Sequence, residues 1–396
     1  MTRRFEHDVV ISGAARSAVG RRLGRSALDL TVSAALAAIA DAGLTRADID
    51  GLSTYPGGYA DQTHGYGGPP PADVQDALRL ELGWFQGAAE VPGQLGALVA
   101  GAMAVSTGLA RHVLVYRTVT ESSAQGAAGR GSVLPGAATA SGIGTWSAPF
   151  GGVSAVNWLA PVAMRHMHEF GTTREQLGQV AVTARRHAAL DPDGAVFTAP
   201  LTLHDYLAAR MISTPLCLLD CDVPVDGSTA LVVSAAAHAP DAPHGAVRLE
   251  AVGTAARGRP SWDQYADLTS MAAQGAAAHL WSRTDLRPGD VDVAQLYDGF
   301  SVLALAWLEA LGFCGRGEGG AFLEGGASIA LDGRLPLNTG GGQLSGGRLH
   351  GFGLLHEAVL QLRGQGGGRQ VRDAEVAVVA NGGGPIAGAV LLTRDR

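Results

Sequence analysis

Residues 290–312 read DVDVAQLYDGFSVLALAWLEALG, and this stretch sets the fold class. Apolar alternation from Val291 to Leu296 predicts a buried strand, and the apolar run from Ser301 predicts a helix. Between them Tyr297, Asp298 and Gly299 form a turn. A strand on one side and a helix on the other fix such a turn without burying it, so a phenol and a carboxylate placed there can meet a substrate. Taken alone, the stretch also admits a plainer reading, in which Tyr297 packs and Asp298 caps the helix.

An earlier stretch repeats the pattern. AALAAIADAGLTRADIDGLSTYPGG, Ala34 to Gly58, lies without gaps on AAAHLWSRTDLRPGDVDVAQLYDGF, Ala276 to Phe300. The offset pairs Leu44 with Leu286, Asp48 with Asp290, Asp50 with Asp292, Tyr55 with Tyr297 and Gly57 with Gly299. Helix, turn and strand fall in phase, so an internal duplication into two α/β halves is the reading.

Around this core, the first half is read as a strand at Val9–Ser12, helices near 28–42, 72–82 and 96–107, and a strand at Val113–Tyr116. A Tyr/Gly/Pro-rich loop spans Tyr59–Pro71, and Ser122–Gly152 loses periodicity. Helical spacing returns at 158–170 and 173–190, where Thr173 and Gln176 form a capping box. Arg165, His166 and His168 are read as a solvated helix face, because neighbours two apart on a helix diverge. Residues 1–117 with 226–240 make the first half, 118–225 an inserted loop domain, and 241–396 the second half. In that second half, five glycines among Gly340–Gly347 let backbone approach a ligand or another turn, and Leu354–Leu362 is an amphipathic helix.

At 396 residues, 46% hydrophobic and 16% charged, the chain can bury a large core and is not predominantly disordered. A net charge of -7 argues against nucleic-acid binding. The three cysteines form no disulfide framework, Cys217 and Cys221 lack a second pair for a zinc site, and no metal site is expected. With neither a signal-peptide core nor an 18-residue apolar run, a cytoplasmic protein without a membrane span is expected. All 29 basic residues are arginines, which excludes Schiff-base chemistry on a lysine.

Five motifs together are specific: RHAALDPDGAVF (186–197), PLCLLDCDVPVDGSTALVV (215–233), YDGFSVLALAWLEALGFCGRGEGGAF (297–322), NTGGGQLSGGRLHGFG (338–353) and ANGGGPIAGA (380–389). With them nearly the whole chain resembles the thiolase superfamily, in particular sterol-carrier-type thiolases and the thiolase-like lipid-transfer proteins that include steroid side-chain retro-aldolases. The resemblance implies an α/β thiolase fold: two βαβαβαββ halves in a five-layered αβαβα arrangement, with a loop domain inserted in the first.

Departures from the family pattern decide the chemistry. The region of the nucleophilic cysteine is EVPGQLGALVAGA (90–102), without Cys, Ser or Thr; Arg348 stands where the family has a Gly-His-Pro histidine, and the late cysteine aligns near Ala380. An acyl-enzyme cannot form there. Tyr297 takes the position that polarises a carbonyl, and retro-aldol cleavage of a β-hydroxyacyl-CoA needs a base and enolate donors but no nucleophile. Related steroid retro-aldolases carry a tyrosine at the position of Arg348 as well. The expected site is therefore Tyr297, Asp298, Arg348 and His350, with Arg348 as the cation beside the phenol, and with Gly341, Gly342, Gly383 and Gly384 against the substrate. The plainer readings stay open: Arg348 pairs with an acid and His350 packs.

The expected activity is a carbon–carbon lyase without cofactor, CoA serving only as substrate carrier. The alternatives are an acyltransferase or retro-Claisen enzyme without acyl-enzyme, and a non-catalytic acyl-CoA-binding scaffold. The resemblance further implies a homodimer through the first half's sheet edge and an OB-fold, zinc-ribbon acyl-CoA-binding partner.

Overall fold

The duplication reappears in the order of the strands. In a computed structural model, which describes residues 4–57, 64–88, 91–125, 144–191, 194–259 and 261–395, the first half runs β1 (Val9–Arg16), α1 (Ala27–Asp41), β2 (Gly51–Thr54), α2 (Pro71–Leu78), β3 (Trp84–Gly87), α3 (Gly96–Ser106) and β4 (His112–Thr120). An insert carries α4 (Ala155–Phe170) and α5 (Arg174–Ala188) before β5 (Asp226–Ala235) returns to the sheet. The second half runs β6 (Val247–Ala256), α6 (Ala272–Trp281), β7 (Val293–Leu296), α7 (Ser301–Ala310), α8 (Phe352–Leu362), β8 (Val376–Gly382) and β9 (Ile386–Arg394). Parts of the Tyr59–Pro71 loop and of the aperiodic Ser122–Gly152 stretch, and Glu90, lie outside the described residues.

Nine strands form one sheet in the order β3-β2-β4-β5-β1-β6-β9-β8-β7. Outward from β1 the first half places β5 and β4 antiparallel, then β2 parallel to β4. Outward from β6 the second half places β9 and β8 antiparallel, then β7 parallel to β8. The halves meet where β1 pairs antiparallel with β6, Val10 opposite Arg248 and Ile11 opposite Val247.

The same residues do the same work in each half. Asp50, just before β2, accepts hydrogen bonds from the amides of Arg111 (2.8 Å) and His112 (2.9 Å) at the start of β4. Asp292, just before β7, accepts from Glu375 (2.8 Å) and Val376 (2.9 Å) at the start of β8. Each carboxylate thus sets the register of a parallel pair. Each outer helix also crosses its strand at a glycine, since a Cβ on Gly13 would lie 2.2 Å from the Ala38 carbonyl oxygen and one on Gly253 2.1 Å from that of Ala276.

Alternation distributes the strands' side chains between layers. On β4, Leu114 and Tyr116 pack with α1 and α2, whereas Val113 and Val115 pack toward α3. Helices α3 and α8, one from each half, share a single core cluster with strands of both halves, so they form the middle layer of five. The second outer layer is α6 and α7, against which α4 and α5 of the insert pack. Thr173 and Gln176 cap α5 reciprocally, backbone to side chain at 3.0 and 3.3 Å. Strand β4 continues to Thr120, so the first half's sheet extends past residue 117.

One helix face differs from expectation. His166 is buried, its Nε2 2.9 Å from Glu309 Oε1 on α7 and its Nδ1 2.8 Å from the Thr172 hydroxyl. Arg165, which pairs with Glu169 one turn on, and His168 are exposed as expected. Among the described residues no helix is long and apolar enough to cross a membrane.

Candidate active site

Tyr297 emerges at the C-terminal end of β7, where open α/β sheets meet their ligands. Its position is held from two sides. The Tyr297 amide donates to the Ala380 carbonyl on β8 at 2.8 Å. One residue earlier, the Asn338 side chain closes both backbone bonds of Leu296, accepting from its amide at 2.8 Å and donating to its carbonyl at 2.9 Å. The parallel register that pairs Leu296 with Ala380 puts Tyr297 beside Asn381.

Asp298 does not cap α7. That helix begins after Phe300 without a side-chain cap, while the Asp298 carboxyl is fully buried and accepts from the amides of Gln343 (2.8 Å) and Leu344 (3.5 Å). Burial pushes its pKa up to about 7, against the opposing pull of these amides. The close fit requires glycine opposite it: a Cβ on Gly342 would lie 2.0 Å from Asp298 Oδ2. The other three glycines singled out from the sequence also lie against protein groups, Gly341 against Ala188, Gly383 against Trp307 and Gly384 against Trp262.

Arg348 and His350 converge on one carboxylate. Arg348, buried, pairs with Glu121 and with Asp222, the latter at 3.3 Å, and His350 Nε2 lies 2.8 Å from Glu121 Oε1. Glu121 is the first residue after β4 and Asp222 lies just before β5, so the two acids stand at the two stems of the insert. Tyr66, from the first half, covers the group: the Arg348 guanidinium sits 5.2 Å from its ring centroid and the His350 ring 5.1 Å from it.

A residue that the sequence reading passed over ties these groups to Tyr297. Arg117 on β4 is 2% exposed and lies on the α3-facing side set by Val113 and Val115. Its guanidinium donates to the carbonyl oxygens of Tyr66 (2.5 Å) and Thr118 (3.0 Å) and is 5.9 Å from the Tyr55 ring. Burial lowers its pKa to about 10, which leaves it cationic at neutral pH, and it is attracted to the phenols of Tyr55, Tyr297 and Tyr66. Among the described residues no carboxylate pairs with it. Arg117 is thus a buried cation attracted to Tyr297 that the sequence reading had not placed there. The signal was present in HVLVYRTVT: one charge on the buried face of an apolar strand.

Where the family nucleophile would stand, the loop before α3 carries Val91, Pro92, Gly93 and Gln94, and Gly93 packs against the Asn381 carbonyl. The Asn381 side chain is fully buried, and among the described residues neither its amide nitrogen nor its oxygen has a hydrogen-bond partner. A buried amide left unpaired in this way costs stability unless another group satisfies it. It abuts Gly351, at the N-terminus of α8, where a Cβ would come within 2.0 Å. Tyr66, Arg117, Glu121, Asp222 and Asn381 were all missed from the sequence, because they meet only through the sheet order.

Comparison with known proteins places this arrangement. Residues 254–393 match the thiolase C-terminal domain-like family. The steroid side-chain-cleaving aldolase of Thermomonospora curvata is 37% identical over 393 residues, 96% of this chain and 97% of that protein. The 17-hydroxy-3-oxo-4-pregnene-20-carboxyl-CoA lyase of Mycobacterium tuberculosis is 37% identical across 97% of this chain and 99% of its own length. Among solved structures, the Ltp2-ChsH2(DUF35) aldolase is similar at a TM-score of 0.87 and 35% identity, covering 98% of both chains. A thiolase fold without the acyl-forming cysteine, with a phenol set among buried cations in its place, fits these relatives: the chain belongs to the thiolase superfamily and is a thiolase-like aldolase, a carbon–carbon lyase.

Proposed function

We propose that the substrate is a β-hydroxyacyl-CoA with a bulky, steroid-like β-carbon, cleaved by retro-aldol chemistry with Tyr297 as base. The observation that carries this reading is the place of Tyr297 at the end of β7, hydrogen-bonded to Ala380 and beside the buried Asn381, with the buried Arg117 attracting its phenol. An unperturbed phenol is ionised in only about one molecule in a thousand at neutral pH. A desolvated cation beside it favours the phenolate, which is the form that removes a proton.

The steps follow from the groups in place. Ionised Tyr297 takes the β-hydroxyl proton, the C–O double bond forms and the bond between the α- and β-carbons breaks. Its electron pair enters the thioester carbonyl as an enolate, whose oxygen accepts from the otherwise unpartnered Asn381 amide beside the N-terminus of α8. Asp298 acts through position: its bonds to the 343–344 amides lock the turn that carries the phenol. Arg348 and His350 hold Glu121 and Tyr66 in place, and the glycines at 341, 342, 383 and 384 allow these segments to close on one another. No cofactor is needed, because protons and one electron pair are all that move and the thioester is the electron sink.

The assembly is read as a homodimer through β3, the edge strand of the sheet, whose Phe85 is exposed. An OB-fold, zinc-ribbon partner that completes the CoA site is the second expected component. The solved aldolase similar to this chain is itself an Ltp2-ChsH2(DUF35) protein.

The test incubates the full chain, alone and with such a partner, with 17-hydroxy-3-oxo-4-pregnene-20-carboxyl-CoA and follows steroid 17-ketone and three-carbon acyl-CoA by mass spectrometry. Ketone formation by the wild type supports the reading, and a Tyr297→Phe variant of undiminished activity removes Tyr297 from it. Binding of the thioester without cleavage, in either combination, would favour a scaffold instead.

A further inference from the structure

A retro-aldol cleavage moves two protons at two different atoms: one leaves the β-hydroxyl and one arrives at the α-carbon. Tyr297 accounts for the first. The second needs a group that holds a transferable proton, is reachable from outside the core and is fixed in place.

Most candidates near the site fail one of these conditions. Glu121 and Asp222 are buried and committed to Arg348. His350 is buried and bonded to Glu121. Asp298 is enclosed by the amides of Gln343 and Leu344. The Arg117 and Arg348 guanidiniums are buried and committed, Arg117 to the carbonyl oxygens of Tyr66 and Thr118 and Arg348 to Glu121 and Asp222. Tyr55 approaches only the Arg117 end of the cluster.

Tyr66 meets all three conditions. It is half-buried, the outward-facing member of an otherwise buried polar group. Its backbone is pinned to β4, with its carbonyl taking a hydrogen bond from Arg117 at 2.5 Å and the neighbouring Gly65 carbonyl one from the Thr120 amide at 2.9 Å. Three residues on, the Pro69 carbonyl accepts from the Tyr116 hydroxyl at 2.8 Å. Its ring centroid lies 5.2 Å from the Arg348 guanidinium and 5.1 Å from the His350 ring, and the guanidinium and the phenol attract one another. A guanidinium can only donate, so toward it the phenol oxygen can only accept and its O–H proton is left for another acceptor.

We propose that Tyr66 is the second catalytic residue of the reaction, the acid that protonates the α-carbon of the thioester enolate. This rests on the retro-aldolase reading. The Tyr66 O–H bond breaks, its proton goes to the α-carbon and the enolate electron pair forms the new C–H bond. The phenolate left behind faces the two cations Arg348 and Arg117. Tyr297, which took the hydroxyl proton, returns it to solvent, and Tyr66 recovers one from solvent, so each turnover balances.

The experiment compares Tyr66→Phe, Tyr55→Phe and Tyr297→Phe in the full chain with its OB-fold partner, on 17-hydroxy-3-oxo-4-pregnene-20-carboxyl-CoA. Phenylalanine keeps the ring that Arg348 and His350 pack against, and an unchanged melting temperature verifies folding. Steady-state kcat for Tyr66→Phe should fall by roughly 100-fold or more, with KM nearly unchanged and Tyr55→Phe close to wild type. In D2O, the wild type should exchange the α-hydrogens of the three-carbon acyl-CoA product supplied alone, Tyr297→Phe should retain that exchange, and Tyr66→Phe should lose it. A Tyr66→Phe enzyme within about threefold of wild-type kcat, or one that exchanges α-hydrogens at the wild-type rate, overturns the assignment. If the wild type cleaves no thioester, the retro-aldolase reading itself has failed, and the two failures are thereby distinguished.

Discussion

Two turns in this molecule began as copies of one another, Tyr55-Pro56-Gly57 after β2 and Tyr297-Asp298-Gly299 after β7. Both follow a short parallel strand whose neighbour is fixed by an aspartate, Asp50 or Asp292, and both deliver a tyrosine, Tyr55 against the middle-layer core and Tyr297 into the core beneath α6 and α7. They part at the next residue. In the second half the carboxyl of Asp298 binds the 343–344 amides, and Asn338 secures the preceding strand end. In the first half that place is a proline, whose apolar ring cannot hydrogen-bond to anchor the turn, and Tyr55 is left against the face of Arg117. The scaffold was duplicated, but the chemistry came from what the loops acquired afterwards. The first half supplies the cation on β4 and the acids at the stems of its insert; the second supplies Tyr297 and the Arg348–His350 pair.

This asymmetry is open to test. The largest effect is expected from the phenols: Tyr297→Phe should lower kcat by about 1,000-fold, whereas Tyr55→Phe should stay within about tenfold, by steady-state assay of ketone release. Equal losses would mean that the halves have not divided the labour. Next, Arg117→Met should lower kcat by roughly 100-fold at neutral pH and shift the rising limb of the pH–rate profile upward, because the Tyr297 phenolate then forms only in more alkaline solution. A profile that does not move would separate Arg117 from the base.

Smaller effects examine the shared scaffold. Asp50→Ala and Asp292→Ala each orphan two backbone amides and should each destabilise the fold by about 2 kcal/mol in chemical denaturation. Similar values would show that the duplicated device has kept its weight in both halves. An effect of similar size concerns Asp298, whose carboxyl titrates near 7 in the fold and at about 3.9 in an unfolded chain. The folded state therefore holds the proton more tightly, and the associated stability is present in full below about pH 4 and lost as pH rises through 7. Relative to Asp298→Asn, the wild type should lose about 2 to 3 kcal/mol between pH 5 and 8, and a flat difference would place the carboxyl in a wetter site.

How much of this was legible in the sequence depended on how local the information was. The gap-free match of Ala34–Gly58 with Ala276–Phe300 revealed the duplication, and periodicity located α1, α3, α5 and α8 to within a few residues. Tyr297 could be found because it sits on a turn inside one short segment. Arg117, Glu121 and Asp222 could not be connected with Arg348 in the same way, since they meet only after β4, β5 and the second half have docked. His166 was misread for the same reason, because its partner Glu309 lies on another helix far along the chain. Asn381 carried no local signal at all, since a lone asparagine among glycines reads as a turn.

The pairing of Arg348 with Glu121 and Asp222 also bears on how the insert is attached. One guanidinium from the second half holds both roots of a segment of about a hundred residues, whose helices α4 and α5 dock separately on α6 and α7, as His166 does on Glu309. Loss of either acid would leave that buried arginine short of a counter-charge, so the two roots of the insert and the second half are bound into one electrostatic unit.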